Sequence, residues 1–308
     1  MSLREQFEKI KHVWGAGTIW NPNEIRHWLQ HPLVQERINA KITGGYPGDR
    51  FQYFLNRCLK GRLPVGRALT LGCGTGDLER GLSQYGFARI HEGIDLSDHA
   101  IQLARDKAAA AGLTHLEYRV ADLNTLRLQP GKYDVIFGVS SIHHVEKLED
   151  LLEQVRLALR PDGYVFLDEY IGPSRFQWTD KQLRIMNEEL GRLPRELCRS
   201  VSAKGEVKDR VIRNTIEDVT AADPSEAVRS AEIVRLVSRN FKILELKGYG
   251  GSIIHELLYD IAGNFNESTP GSLDHLRSLF AVEDGLIASG DLADDFAVII
   301  AEHRRVPA

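Results

Sequence analysis

Leu71-Gly72-Cys73-Gly74-Thr75-Gly76-Asp77 follows the apolar run Ala68-Leu69-Thr70-Leu71. The stretch reads as a buried strand that ends in a glycine turn and opens a helix. Glycine lacks a Cβ, so the backbone turns sharply there and a ligand can approach it closely. A dinucleotide fingerprint would be G-x-G-x-x-G, and its third glycine would fall on Asp77. The spacing Gly72-x-Gly74-x-Gly76 therefore argues against NAD or FAD and for another nucleoside cofactor. A phosphate loop of the Gly-Lys-Ser/Thr type is absent. A tight strand-to-helix turn without a ligand is the bland alternative.

The segments downstream narrow the reading. Ile90-His91-Glu92-Gly93-Ile94-Asp95 is a second strand ending in an acid, placed to accept ribose hydroxyls. Leu116-Glu117-Tyr118-Arg119-Val120-Ala121-Asp122-Leu123 is a third, with Asp122 at its end. Tyr133-Asp134-Val135-Ile136-Phe137-Gly138-Val139-Ser140 is a fourth, and Gly163-Tyr164-Val165-Phe166-Leu167-Asp168-Glu169-Tyr170 a fifth. Between the last two, Leu148, Leu151, Leu152, Val155 and Leu159 form one apolar helical stripe. Strands alternating with helices call for a parallel sheet covered on both faces.

Residues 66 to 170 resemble the class I S-adenosylmethionine-dependent methyltransferases. The resemblance rests on the L-G-C-G-T-G turn, the strand-two acid, the V-A-D element, the D-V-I-F strand, the S-I-H-H-V loop and the L-R-P-D-G turn, in that order. It implies S-adenosylmethionine as cofactor, with Gly72, Cys73, Gly74 and Gly76 beneath its methionine moiety and Ser140 nearby. It implies Asp95 on the ribose, Leu96 on the adenine, and Asp122 with Leu123 at the adenine edge. A turn or helix-cap role is the alternative for Asp122. The implied fold is α/β: a Rossmann-like seven-stranded, mostly parallel sheet with helices on both faces and an antiparallel final strand. Phe241-Lys242-Ile243-Leu244-Glu245-Leu246 is expected as strand six and Phe296-Ala297-Val298-Ile299-Ile300-Ala301 as the final strand.

The remainder is organised around that core. Residues 1–64 read as an N-terminal helical cap, and 65–308 as the methyltransferase domain with helical insertions at about 174–240 and 251–290. The insertions are expected to form a lid over the carboxyl ends of the strands, where open α/β sheets bind ligands. Asn21-Pro22-Asn23-Glu24 starts a helix that His31-Pro32 should end. A second helix runs from Arg50 to Lys60. Asp223-Pro224-Ser225-Glu226 reads as the start of a helix continuing towards Asn240. The acids Glu283, Asp284, Asp291, Asp294 and Asp295 read as a solvated surface.

Transfer from a sulfonium needs acceptor, methyl and sulfur in line, and water excluded. A hydroxyl acceptor also needs a base. His143, His144 and Glu169 are the catalytic candidates, since they sit on loops of one sheet edge. Tyr170, Arg175, Arg229 and His255 are candidates for acceptor contacts. The bland readings are a backbone-bonded histidine for one of the pair, a turn cap for Asp168, a solvated helix face for Arg229 and a core position for His255.

The chain has 308 residues, a net charge of −4 and three scattered cysteines. No basic field invites nucleic acid, and no disulfide framework is indicated. No C-x-x-C or H-E-x-x-H pattern proposes a metal. No signal peptide or membrane span is read, so a cytoplasmic location is expected. A weaker resemblance, through Asp168-Glu169-Tyr170-Ile171-Gly172-Pro173-Ser174-Arg175-Phe176-Gln177-Trp178, Asp223 to Ser230, Tyr249-Gly250-Gly251 and Trp20-Asn21-Pro22-Asn23, is to a bacterial group associated with glycan and polysaccharide biosynthesis. It implies O-methylation of a saccharide or other small hydroxyl acceptor, and a homo-oligomer stays open. N- or C-methylation of a small metabolite, or a non-catalytic cofactor-binding scaffold, are the other readings. Nucleic-acid N-methylation is disfavoured, because Ser140-Ser141-Ile142-His143 stands where an N/D-P-P-Y/F/W signature would be.

Overall fold

Val65–Leu71 (β1) is an interior strand of a seven-stranded sheet ordered β3-β2-β1-β4-β5-β7-β6. The other strands are Ala88–Asp95 (β2), Leu116–Val120 (β3), Tyr133–Val139 (β4), Leu159–Tyr170 (β5), Phe241–Gly250 (β6) and Phe296–His303 (β7). The computed structural model describes residues 5, 8–10 and 24–304. The first five strands pair in parallel, and β7 lies antiparallel between β5 and β6. The expected sheet and its antiparallel final strand are therefore present. The strand order reverses between β1 and β4, which opens a crevice at their carboxyl ends.

The apolar runs form these strands because both faces of the sheet are covered. Successive residues of one strand enter opposite cores. Val135, Phe137, Phe166, Val298 and Ile300 join one cluster, while Ile136, Val165, Leu167, Ile299 and Ala301 join the other. The second cluster is closed by helices Leu148–Ala158 and Ile233–Asn240. The first is closed by helices Pro32–Thr43 and Arg50–Cys58, whose Val34, Ile38, Ile42 and Phe54 are fully buried. Phe54 meets Phe137 edge-on at 5.8 Å between ring centres. Each such buried ring contributes about 1.5–3 kcal/mol.

Three expectations fail for identifiable reasons. His31-Pro32 opens a helix rather than ending one. His31 is the N-cap, its Nδ1 accepting from Leu33 N, and Pro32 takes the first helical position, where its missing N–H costs nothing. The residues Trp20-Asn21-Pro22-Asn23 lie outside the described residues, and Glu24 to His27 are not helical. Asp223-Pro224-Ser225-Glu226 does not start a helix. Asp223 ends the helix Ile216–Ala222 and accepts from Ser225 N and Oγ in a turn, and the next α-helix begins at Ile233. The acidic run is not all solvated. Glu283 is fully buried, bonded to Arg37 Nη2 at 2.7 Å and to Ile253 N at 2.8 Å, and Asp295 is buried against Gln182.

Candidate active site

The glycine turn gives each glycine a separate task. Gly72, Gly74 and Gly76 all have positive φ, at 67°, 52° and 79°. A Cβ on Gly72 would lie 2.4 Å from the Ser141 side chain, and one on Gly76 would lie 2.5 Å from Tyr118 Oη. A Cβ on Gly74 would meet nothing within 4 Å. Two glycines thus admit neighbouring side chains, and the middle one faces open space. Cys73 between them is buried, and burial first and nearby acids second push its thiol well above the usual range.

Asp95 holds this turn. One carboxylate oxygen accepts from Gly74 N and the other from Ser97 N, both at 2.9 Å. Burial raises its pKa against those backbone bonds. A carboxylate has about four lone-pair sites, so Asp95 keeps acceptor capacity for a ribose hydroxyl beside its backbone bonds. Asp122 lies in a turn, accepting from Asn124 N at 2.8 Å, and Asn124 Oδ1 accepts from Glu146 N and Lys147 N. The loops after β3 and β4 are so joined. Leu96 and Leu123 are half-buried at the same edge. The open face at Gly74 and the unspent acceptors of Asp95 fit the nucleoside cofactor.

The loop after β4 is strained and firmly bonded. Ser140 is exposed at φ 48°, and its N–H donates to Asp168 O. Ser141 Oγ donates to Leu71 O at 2.7 Å, tying the loop to the glycine turn. Glu169 is fully buried. Its Oε1 accepts from Ser141 N and Ile142 N at 2.8 and 2.7 Å, and its Oε2 lies 2.7 Å from His143 Nδ1. Both oxygens of Glu169 are thus engaged within the loop. His143 Nε2 faces Glu226 Oε1 at 3.7 Å. The His144 ring lies 4.2 Å from that of His143 between centres, and its Nδ1 is 3.2 Å from Ser225 Oγ. Burial works to lower the His143 pKa, but the Glu169 charge and hydrogen bond outweigh it and the net shift is upward. Burial, then the His143 charge, takes His144 well below the usual range. Burial pushes Glu226 up to about 7.

The remaining candidates divide. Tyr170 is buried beside His143, its Oη donating to Pro173 O at 2.9 Å. His255 is buried among Trp28, Tyr170, Phe176 and Phe296, and burial takes its pKa well below the usual range. Arg175 braces the 223–227 segment: its Nη1 donates to Pro224 O and Glu226 O, and its N–H to Ala227 O. Arg229 does not join the cluster, because its guanidinium pairs with Glu149 and Glu232. Asp168 is no turn cap. It pairs with Arg50 Nε at 2.5 Å and accepts from Tyr249 Oη at 2.6 Å. Glu226 is the site residue that sequence reading missed. Its signal was masked because D-P-S-E also spells a helix start.

Comparison with known proteins bears on the domain and the fold. A family model described as "Methyltransferase domain" matches residues 68–163. The ubiquinone biosynthesis O-methyltransferase of Leptothrix cholodnii is 32% identical over 165 residues, covering 53% of this chain and 60% of that protein. The chain thus spans less than two thirds of that relative's length. Geranyl diphosphate C-methyltransferase from Streptomyces coelicolor shares the fold at a TM-score of 0.55 and 12% identity, covering 97% of this chain and 98% of that one. Phosphoethanolamine N-methyltransferase 2 from Haemonchus contortus, solved with S-adenosylmethionine, does so at 0.52 and 17%, covering 89% and 56%. No helix among the described residues is long and apolar enough to cross a membrane. Residues 68–163 thus match a methyltransferase domain, and the chain shares the fold of solved methyltransferases that hold S-adenosylmethionine or S-adenosylhomocysteine.

Proposed function

We propose that the protein O-methylates a small hydroxyl-bearing acceptor. The observation that carries this is the adjacency of two features: the open glycine turn with Asp95, and the His143–Glu226 edge reached through Ser141. S-adenosylmethionine, when bound, supplies an electrophilic methyl that passes from sulfur to the acceptor oxygen as the hydroxyl gives up its proton. Gly72, Gly74 and Gly76 would hold the cofactor's methionine end, and Asp95 its ribose. Glu169 fixes the His143 ring through Nδ1, which leaves Nε2 as the atom that meets the acceptor's proton. Tyr170, Phe176 and His255 would exclude water from that edge.

The curated relatives named for O-methylation support an oxygen acceptor. They give no support to the saccharide acceptor expected from sequence. The N- and C-methylating neighbours share the fold alone and favour neither alternative. The test is transfer from methyl-labelled S-adenosylmethionine to a panel of small phenols, alcohols, sugars and amines. Labelled ethers support the reading, and label on amines alone overturns it.

A further inference from the structure

His143 and His144 are consecutive, yet both imidazoles are held in one place. They share the short turn Ile142–His144, and their ring centres lie 4.2 Å apart. Each Nδ1 is met by a protein oxygen, Glu169 Oε2 at 2.7 Å for His143 and Ser225 Oγ at 3.2 Å for His144. Ser225 Oγ is itself bonded to Asp223 Oδ1 at 2.7 Å. A ring nitrogen of each histidine and a carboxylate oxygen of Glu226 lie within 4.8 Å of one another.

Glu226 is brought there deliberately. Its segment leaves helical geometry after Ala222 and reaches Ala227, a non-glycine residue at φ 45°. Arg175, itself at φ 57°, bonds the carbonyls of Pro224, Glu226 and Ala227, and Val228 N donates to His143 O. Backbone strain of this kind costs about 1–3 kcal/mol per residue and persists where surrounding bonds impose it. Its effect here is to aim a carboxylate at two imidazoles.

The spacing is wrong for a direct pair and right for a shared ion. His143 Nε2 and Glu226 Oε1 are 3.7 Å apart, beyond hydrogen-bond distance. Donor atoms about 2.1 Å from a tetrahedral ion stand roughly 3.4 Å from one another. The carboxylate–imidazole bond beneath His143 is also the support that metal-bound histidines commonly have.

We propose that His143, His144 and Glu226 bind one divalent transition-metal ion, whose open coordination position takes the acceptor's hydroxyl oxygen. Three protein ligands with an open position is the catalytic arrangement, and an imidazole-rich set without thiolate suits zinc, copper, nickel or iron(II) over magnesium, calcium or manganese. In the loaded protein His143 Nε2 is a ligand. Coordination lowers the hydroxyl's pKa, so its proton is released to bulk solvent as the acceptor enters, before water is excluded from the edge. The acceptor's part in this rests on the function proposed above; metal binding stands independently of it.

The test uses the full chain, stripped with a chelator, equilibrated with zinc and dialysed, with metal content measured by mass spectrometry. About one tightly held zinc per chain is expected. Glu226→Gln and His144→Ala should each lose it while keeping the wild-type circular dichroism, and Ser225→Ala should weaken it on the order of 10- to 100-fold. Zinc retention no greater in the wild type than in the Glu226→Gln/His144→Ala double variant would overturn the proposal. S-adenosylmethionine is titrated in parallel. Cofactor binding without zinc retention sinks the metal site alone, and zinc retention without cofactor binding sinks the methyl-transfer reading alone.

Discussion

Glu169 Oε2 lies 2.7 Å from His143 Nδ1, while Glu169 Oε1 takes two backbone N–H groups of the same loop. One buried carboxyl thus sets both the path of the loop after β4 and the direction of its first histidine. Glu169→Ala leaves two buried N–H groups unsatisfied. It is expected to cost about 1–3 kcal/mol for each and to slow methyl transfer with little change in cofactor affinity. Chemical denaturation and calorimetry separate the two effects. A selective loss of cofactor affinity would move Glu169 into the cofactor site.

The glycines of the turn are expected to respond differently. Gly72→Ala drives a Cβ into Ser141, which is pinned by Leu71 O and Glu169. Strain and overpacking together should cost about 2–5 kcal/mol. Gly74→Ala meets no atom and should cost only the strain of its φ, about 1–2 kcal/mol, but it fills the open face. Thermal melting should rank Gly72→Ala well below Gly74→Ala, and Gly74→Ala should nevertheless lose cofactor binding.

Buried carboxyls outside the histidine cluster add a pH dependence to the fold. Burial pushes Glu79 up to about 7, and burial with the Glu283 charge does the same for Asp295. Both are raised above their unfolded values, so their contribution is complete below the usual carboxylate range and is lost as pH rises through about 7. Buried histidines such as His91, held well below the usual range, act the other way. The Glu79 share is therefore read as the urea-unfolding stability of the wild type minus that of Glu79→Gln, which should fall between about pH 4 and pH 7. A wild-type minus Glu79→Gln difference that stays constant over that window would show that Glu79 carries no such dependence.

The helix Pro32–Thr43 is joined to the rest by a buried ion pair. Arg37 Nη2 reaches Glu283 at 2.7 Å and Asp284 at 2.6 Å. Arg37→Met would strand the fully buried Glu283 and should cost about 3–5 kcal/mol. Adding Glu283→Gln should recover part of that loss in a thermal melt. Full additivity of the two changes would contradict the pairing.

The sheet was legible because its strands are apolar runs with acids or glycines at their carboxyl ends, and that pattern follows from burial on both faces. The segments outside the sheet were less legible. Pro32 and Pro224 each follow a residue able to cap a helix, and local signals are the same whether a helix begins, ends or is overridden. At Pro224 the tertiary bonds from Arg175 win. Glu283 looked like surface because its partner Arg37 is 246 residues away in sequence. Glu226 was hidden for a similar reason, since only folding brings it to His143.

S-adenosylmethionine binding at the glycine turn is the expectation on which the proposed methyl transfer depends. It is tested most directly by calorimetric titration of the purified chain with S-adenosylmethionine and S-adenosylhomocysteine, beside NAD and beside Asp95→Ala. Saturable binding of both sulfur nucleosides, none of NAD, and loss of binding in Asp95→Ala are predicted. Failure of the folded wild-type chain to bind either sulfur nucleoside would contradict the account.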